Sequence, residues 1–297
     1  QQFIVDDPKG KQYVGILKTI SNNPADIIPT ADIVLFCLPA FLVEQTLETI
    51  KPYLSSKTIV GSVVGNTGFF IFAHKVLADQ PIGLFAFQRV PYISRVVEYG
   101  KKASLLGYKD KLLIATEHIS NPQEFCNDIS MLFCTPTILL QSFYEVTLSN
   151  SNPILHTGRL YSMWKDWNGE HYKNNSLFYT SWTDEASDLL IKMDEEFFCL
   201  LDKLGVSTEH LPTLLQHYEV HDAKSLTQKI KRIPAFSNIL SPMKQTPNGW
   251  VPDFESRYFT EDFPFGLRFI YELAHANNIN TPNIDKVYQW GISKINQ

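Results

Sequence analysis

Asp32-Ile33-Val34-Leu35-Phe36-Cys37-Leu38-Pro39 is the stretch on which the fold turns. Its apolar run continues through Leu38 and stops at a proline, which predicts a buried strand. Residues 42–54 then place Val43, Leu47, Ile50 and Leu54 at helical spacing, and residues 57–64 form a second buried strand. Strand, helix, strand is the unit of a parallel sheet. Outward from it the alternation continues, with a helix over 69–78, strands over 82–87 and 112–116, and a helix over 122–133. Upstream, residues 2–5 and 12–17 flank Asp7-Pro8-Lys9-Gly10 and predict a hairpin. The first half is therefore expected to be α/β, a doubly wound sheet that takes ligands at the carboxyl ends of its strands. Leu38, Pro39 and Ala40 sit at one such end, and the 62–68 segment with Gly65 and Asn66 sits at another.

After Tyr144 the pattern changes to helices. Residues 186–204 carry Leu189, Leu190, Met193, Phe197, Leu200, Leu201 and Leu204 at spacings of three and four, and stop at Gly205. Thr281-Pro282 predicts the start of a last helix over 283–295, with threonine as N-cap and proline at the first helical position. Two domains are expected, an α/β domain over 1–145 and an all-α domain over 146–297. The Pro- and Asn-rich stretch 241–252 reads as a loop. His217 and His221 read as exposed residues of one short helix rather than as metal ligands, because no third ligand is evident. The run Asp194-Glu195-Glu196 reads as the solvated face of its helix.

A chain of 297 residues with 44% hydrophobic and 19% charged content suits a soluble protein with two cores of about 150 residues each. The formal net charge of −5, without a basic stripe, argues against nucleic acid as a partner. No apolar run approaches the roughly 20 residues that cross a bilayer, so no membrane span is expected within the chain. The four cysteines are widely spaced, form no CxxC pair and lie in apolar segments. They read as buried free thiols of a reducing, cytoplasmic compartment, with neither a metal site nor a disulfide framework.

Chemistry concentrates in two segments about a hundred residues apart, Asn152-Pro153-Ile154-Leu155-His156-Thr157-Gly158-Arg159 and Arg257-Tyr258-Phe259-Thr260-Glu261-Asp262-Phe263-Pro264-Phe265-Gly266. If the fold brings them together, they supply an acid/base, a carboxylate to orient it and a cation for a substrate carboxylate. On residues alone, His156 reads more readily as a structural histidine, and Arg257 with its acidic neighbours as an exposed ion pair on a capped loop. Four further stretches occur in the same order upstream or between them: 31–41 (ADIVLFCLPAF), 65–69 (GNTGF), 91–100 (PYISRVVEYG) and 177–179 (LFY). Taken together, these segments resemble the opine dehydrogenases of the octopine and nopaline type, over most of the chain. The resemblance implies a Rossmann-like domain followed by a helical catalytic domain. It implies an NAD- or NADP-dependent oxidoreductase that condenses an α-keto acid such as pyruvate with the amino group of an amino acid and reduces the resulting imine. In that reading His156 is the general acid/base, Asp262 orients it, and Arg257 binds the keto-acid carboxylate. Leu38, Pro39, Ala40 and Gly65 border the cofactor, and Asn66, Gln88 and Arg89 face substrate.

The phosphate-binding fingerprint of a Rossmann domain is missing from the sequence. Gly61-Ser62-Val63-Val64-Gly65-Asn66-Thr67-Gly68 has the wrong spacing and follows a later strand. With the abrupt opening at Gln1, the expectation is that the first strand, the glycine turn and the second strand precede this chain. The chain alone should then bind nucleotide poorly, and the choice between NAD and NADP cannot be read. Gln88 and Arg89 stand near where some arginine-using members carry an acidic residue, so the resemblance implies a neutral or acidic amino acid as the amine. Two alternatives remain. One is another two-domain 2-keto acid reductase of the ketopantoate reductase or glycerol-3-phosphate dehydrogenase kind. These rely on a lysine, whereas this chain has none between Lys111 and Lys165. The other is a non-catalytic protein or fragment on the same scaffold. A monomer or a homodimer is expected, because no seam of apolar residues stands out.

Overall fold

The structure, a computed structural model, describes residues 2–295. The chain forms two compact units, Gln1–Ser149 and Asn150–Gln297. The first contains β1 (Gln2–Asp6), β2 (Gln12–Ile16), β3 (Ile33–Phe36), α1 (Ala40–Ile50), β4 (Ile59–Val63), α2 (Phe69–Val76), β5 (Gly83–Phe87), β6 (Tyr92–Glu98), β7 (Lys102–Tyr108), β8 (Leu112–Glu117), α3 (Pro122–Leu132), β9 (Thr137–Leu139) and α4 (Tyr144–Thr147). Its main sheet has the order β3-β4-β5-β8-β9. The first three strands are parallel, β8 returns antiparallel to β5, and β9 runs parallel to β8.

Both faces of this sheet are covered, as the unbroken apolar strands require. On one face Phe36, Val60, Leu84 and Ala86 meet Val43, Leu47 and Ile50 of α1 and Phe69, Phe70 and Ala73 of α2. On the other, Phe85, Phe87, Leu112 and Ile114 meet Phe125, Cys126 and Ile129 of α3. The doubly wound α/β reading thus holds. The hairpin β1/β2 also forms, but it belongs to a separate sheet of order β2-β1-β7-β6. The strands β6 and β7 were not expected. Six of the seven residues of β6 are exposed, so it shows no apolar periodicity.

The second unit contains α5 (Asn152–Trp164), α6 (Asp184–Lys203), α7 (Leu214–Tyr218), α8 (Ala223–Arg232), β10 (Met243–Thr246), β11 (Gly249–Pro252), α9 (Arg257–Thr260), α10 (Arg268–Ala276) and α11 (Pro282–Ile295). A helical turn of π type, Phe263–Leu267, leads into α10. The long helix α6 is capped by the Thr183 hydroxyl, which accepts from the Ala186 N–H at 3.2 Å, and it ends before Gly205 at φ +64°. It packs on α5 where Gly158 leaves room. A Cβ there would lie 2.8 Å from Leu190 Cδ1.

Four sequence expectations need correction. Residues 241–252 are not a plain loop, because β10 and β11 pair antiparallel within them. The acidic run on α6 is not a solvated face. Asp194 is buried and accepts from the Leu214 N–H at 2.8 Å, while Glu196 accepts from the Asn283 and Ile284 N–H groups, both at 2.9 Å. These carboxylates satisfy the free N–H groups that open α7 and α11. His217 and His221 do not share a helix, since α7 ends at Tyr218 and Glu219 turns left-handed at φ +55°. Of the four free thiols only Cys126 is buried, and Cys37, Cys134 and Cys199 are exposed. Among the described residues, no helix is long and apolar enough to cross a membrane.

Candidate active site

Helix α5 opens with Asn152-Pro153, and proline in its first turn costs no hydrogen bond because that N–H would have no helical partner. One turn later it presents His156, and three residues further on Arg159. The His156 Nδ1 lies 2.8 Å from Asp262 Oδ2, and its Nε2 lies 2.9 Å from the Tyr179 hydroxyl. The fold therefore joins the two segments that the sequence keeps 106 residues apart. An ionised carboxylate can only accept, so Nδ1 must carry a hydrogen. In the neutral ring the Nε2 lone pair is then the basic position, directed at Tyr179.

Asp262 is held by packing on either side. It lies two residues past the end of α9 and precedes Phe263, which is fully buried against Phe259 and Trp290. The His156 and Asp262 side chains are 13% and 18% exposed, enough burial to strengthen their hydrogen bond and enough exposure for substrate to reach them. The Tyr258 ring packs on the imidazole at 4.8 Å between centroids. Tyr179 stacks on Trp182 at 5.8 Å and on Phe236 at 4.1 Å. Burial pushes the hydroxyls of both tyrosines above the ordinary phenol range.

Arg159 is 3% exposed. It donates from Nη2 to the Ser181 carbonyl at 2.8 Å and from Nε to the Phe178 carbonyl at 3.3 Å, and it lies 5.2 Å from the Trp182 ring. Burial pulls its pKa down to about 10. It clamps the backbone on both sides of Tyr179. Arg257 is the opposite case, at 80% side-chain exposure. Its Nε and Nη2 donate to the two Glu261 oxygens, each at 2.8 Å, and this pairing raises its pKa. It stands next to Tyr258 in the chain, and its fork is turned to Glu261.

The remaining candidates lie in the first unit. Leu38 and Pro39 are half-buried and Ala40 is buried, where β3 passes into α1. No side chain caps the first turn of α1, which leaves its N–H groups open to an anionic group. Gly65 is glycine because of close approach. A Cβ there would meet Val146 Cγ1 at 2.5 Å and Ala86 Cβ at 2.6 Å. It opens the short helical turn that contains the half-buried Asn66. Gln88 is 4% exposed and donates to the Glu145 carbonyl at 2.9 Å. Arg89 donates to the Ser149 carbonyl at 2.6 Å and hydroxyl at 3.1 Å. With Lys109 and Lys111 these two residues line a cavity of about 110 Å³. The strand ends thus suit the nicotinamide side of a dinucleotide, while the glycine turn for its pyrophosphate is not part of the sequence.

Sequence reasoning did not assign roles to Tyr179, Tyr258 or Arg159. The only signal for Tyr179 was its place in the 177–179 match; Arg159 and Tyr258 lay inside the matched segments without an assigned role.

Comparison with known proteins agrees with this geometry. Residues 139–295 match the family described as NAD/NADP octopine/nopaline dehydrogenase, alpha-helical domain. The chain is 27% identical over 293 residues to the opine dehydrogenase of Haliotis discus hannai, covering 92% of this chain and 72% of that protein. It is 28% identical over 296 residues to the tauropine dehydrogenase of Arabella iricolor, covering 92% and 73%. A solved octopine dehydrogenase structure titled with NADH and pyruvate superimposes with a TM-score of 0.83 at 25% identity, over 99% of this chain and 77% of that one.

Proposed function

Because this chain belongs to the octopine/nopaline dehydrogenase family, we propose that His156 and Asp262 perform the acid/base work of its reaction. The protein is an NAD- or NADP-dependent oxidoreductase acting on CH–NH groups, and it joins an α-keto acid reductively to an amino acid. The observation that carries the site assignment is the 2.8 Å link from Asp262 to Nδ1, which leaves Nε2 as the proton-transferring atom.

The chemistry needs one group that takes and returns a proton at the same carbon. As the amine adds to the keto carbon, Nε2 accepts a proton from nitrogen. It returns that proton to the former keto oxygen, giving the carbinolamine, and a second proton carried from nitrogen to the hydroxyl through Nε2 lets water leave and the imine form. Asp262 stabilises the imidazolium between these events. The nicotinamide, when bound, supplies hydride to the imine carbon. Such proton transfers contribute about 10²- to 10⁴-fold. Arg257 binds the keto-acid carboxylate, because a guanidinium fixes a planar carboxylate through two parallel hydrogen bonds. Its present bidentate pairing with Glu261 is the same geometry.

We assign cofactor contacts to Leu38, Pro39, Ala40 and Gly65 in a dinucleotide-binding domain over 1–145. The catalytic domain is 146–297. Asn66, Gln88 and Arg89 are assigned to the amino acid substrate. The cavity beside Gln88 has three cations on its wall and favours a neutral or acidic side chain over arginine. Free, exposed thiols favour a reducing cytoplasm, and the protein is assigned as a monomer or homodimer. The ketopantoate reductase and glycerol-3-phosphate dehydrogenase readings are not favoured, since α5 carries His156 and no lysine.

The test is oxidation of NADH and NADPH by the full-length protein, given pyruvate with and without a set of amino acids. Consumption that needs both substrates is expected. Turnover with the keto acid alone would instead identify a simple 2-keto acid reductase, and saturation kinetics favouring arginine over alanine, glycine and glutamate would defeat the substrate assignment.

A further inference from the structure

His156 has both ring nitrogens engaged in the resting site, and this limits how substrate can reach it. Nε2 carries either one lone pair or one hydrogen, so it makes one good hydrogen bond at a time. That bond goes to Tyr179 at 2.9 Å. The reacting atom of a substrate must therefore take Nε2 from Tyr179, and a buried hydroxyl that loses its partner needs another.

The partner is in place. The Tyr258 hydroxyl lies beside that of Tyr179, within its electrostatic reach. Tyr258 also packs its ring against the imidazole. Tyr179 cannot follow the histidine if the ring moves. Trp182 and Phe236 stack against it, and Arg159 fixes the carbonyls of Phe178 and Ser181 next to it. A hydroxyl is the one kind of group that serves both states of the ring. It donates to Nε2 when the imidazole is neutral and accepts from Nε2–H when it is protonated.

We infer that Tyr179 is a positioning residue for His156, holding Nε2 in the resting site and turning its hydroxyl to Tyr258 when substrate takes that nitrogen. The assignment rests on the acid/base role given to His156 above. It explains how one imidazole can act as base and then as acid without changing its orientation. Asp262 and Tyr179 fix the ring at its two nitrogens, and only the Tyr179 hydrogen bond has to rearrange.

The experiment compares Tyr179→Phe and Tyr258→Phe in steady-state kinetics and in ¹⁵N spectra of the His156 ring. Tyr179→Phe is expected to lower kcat about tenfold without raising the KM of the keto acid, because the ring is less well held while substrate no longer displaces a hydroxyl. Its Nε2 resonance shifts from the wild-type position. Tyr258→Phe is expected to leave the Nε2 resonance in place and to raise that KM about threefold or more, since the displaced hydroxyl then lacks its partner. A wild-type Nε2 resonance in Tyr179→Phe overturns the inference, as does wild-type kcat in that variant. Should Tyr179→Phe not fold, an unchanged KM in Tyr258→Phe overturns it. The spectra need no turnover. An inactive wild-type protein with the expected shifts would remove the proposed reaction and leave the hydrogen-bond assignment standing.

Discussion

At the scale of single residues, the site depends on which hydrogen bonds are replaceable. Asp262→Asn keeps the size of the side chain, but its amide can present an N–H to Nδ1 and so stabilise the wrong ring tautomer. His156→Asn removes the proton carrier itself. Each is expected to lower kcat at least about tenfold, with more in reserve given the usual range for acid/base groups. Arg257→Lys keeps the charge and loses the fork, so it should raise the KM of the keto acid with little change in kcat. Steady-state kinetics on the three variants check this, and wild-type constants in all of them would remove the site assignment. The His156 and Asp262 pairing was legible in the sequence because both residues lie in segments with a recognisable context. Tyr179 was not. It is a tyrosine in an ordinary aromatic run, Leu177-Phe178-Tyr179, and its importance comes from the ring nitrogen it meets 23 residues away.

At the scale of elements, Arg159 connects helix α5 to the aromatic segment 178–182. Its charge is almost wholly buried and is compensated by carbonyl oxygens and the Trp182 face. Arg159→Met should leave two carbonyls without their donor while filling much of the space. The expected loss is on the order of 2–4 kcal/mol, seen as a fall of several degrees in Tm by calorimetry, and kcat should fall with it because Tyr179 is loosened. An unchanged Tm would mean that the segment is held by its aromatic stacking alone. The elements themselves divide by how locally they are specified. β3, β4 and β5 announce themselves because each is a short, mostly apolar run. β6 hides because its side chains face solvent, and β10 hides because Met243-Lys244-Gln245-Thr246 alternates nothing. Such strands are fixed by backbone pairing with β7 and β11, which composition does not record.

At the scale of the whole molecule, Asp194 shows how a helix can look solvated in sequence and be buried in the fold. Its neighbours in the run are acidic, and nothing local reveals that α7 will bring the Leu214 N–H to it. Burial pushes its pKa up to about 6, against the pull of that N–H, with Glu195 adding a smaller push in the same direction. In the unfolded chain the same carboxyl titrates near 3.8. The folded protein therefore binds the proton more tightly, so the stabilisation from this group is complete below about 3.8 and is lost as pH rises through about 6. Two pKa units correspond to on the order of 3 kcal/mol. Asp194→Asn retains an oxygen to accept from Leu214 and never ionises. Its Tm should match wild type near pH 4 and exceed it by several degrees at pH 7. Carboxylates remote from position 194 titrate alike in the two proteins, so they cancel in the difference. Parallel melting curves across that interval would mean that water reaches Asp194 in solution and that the helix start at Leu214 tolerates a full charge.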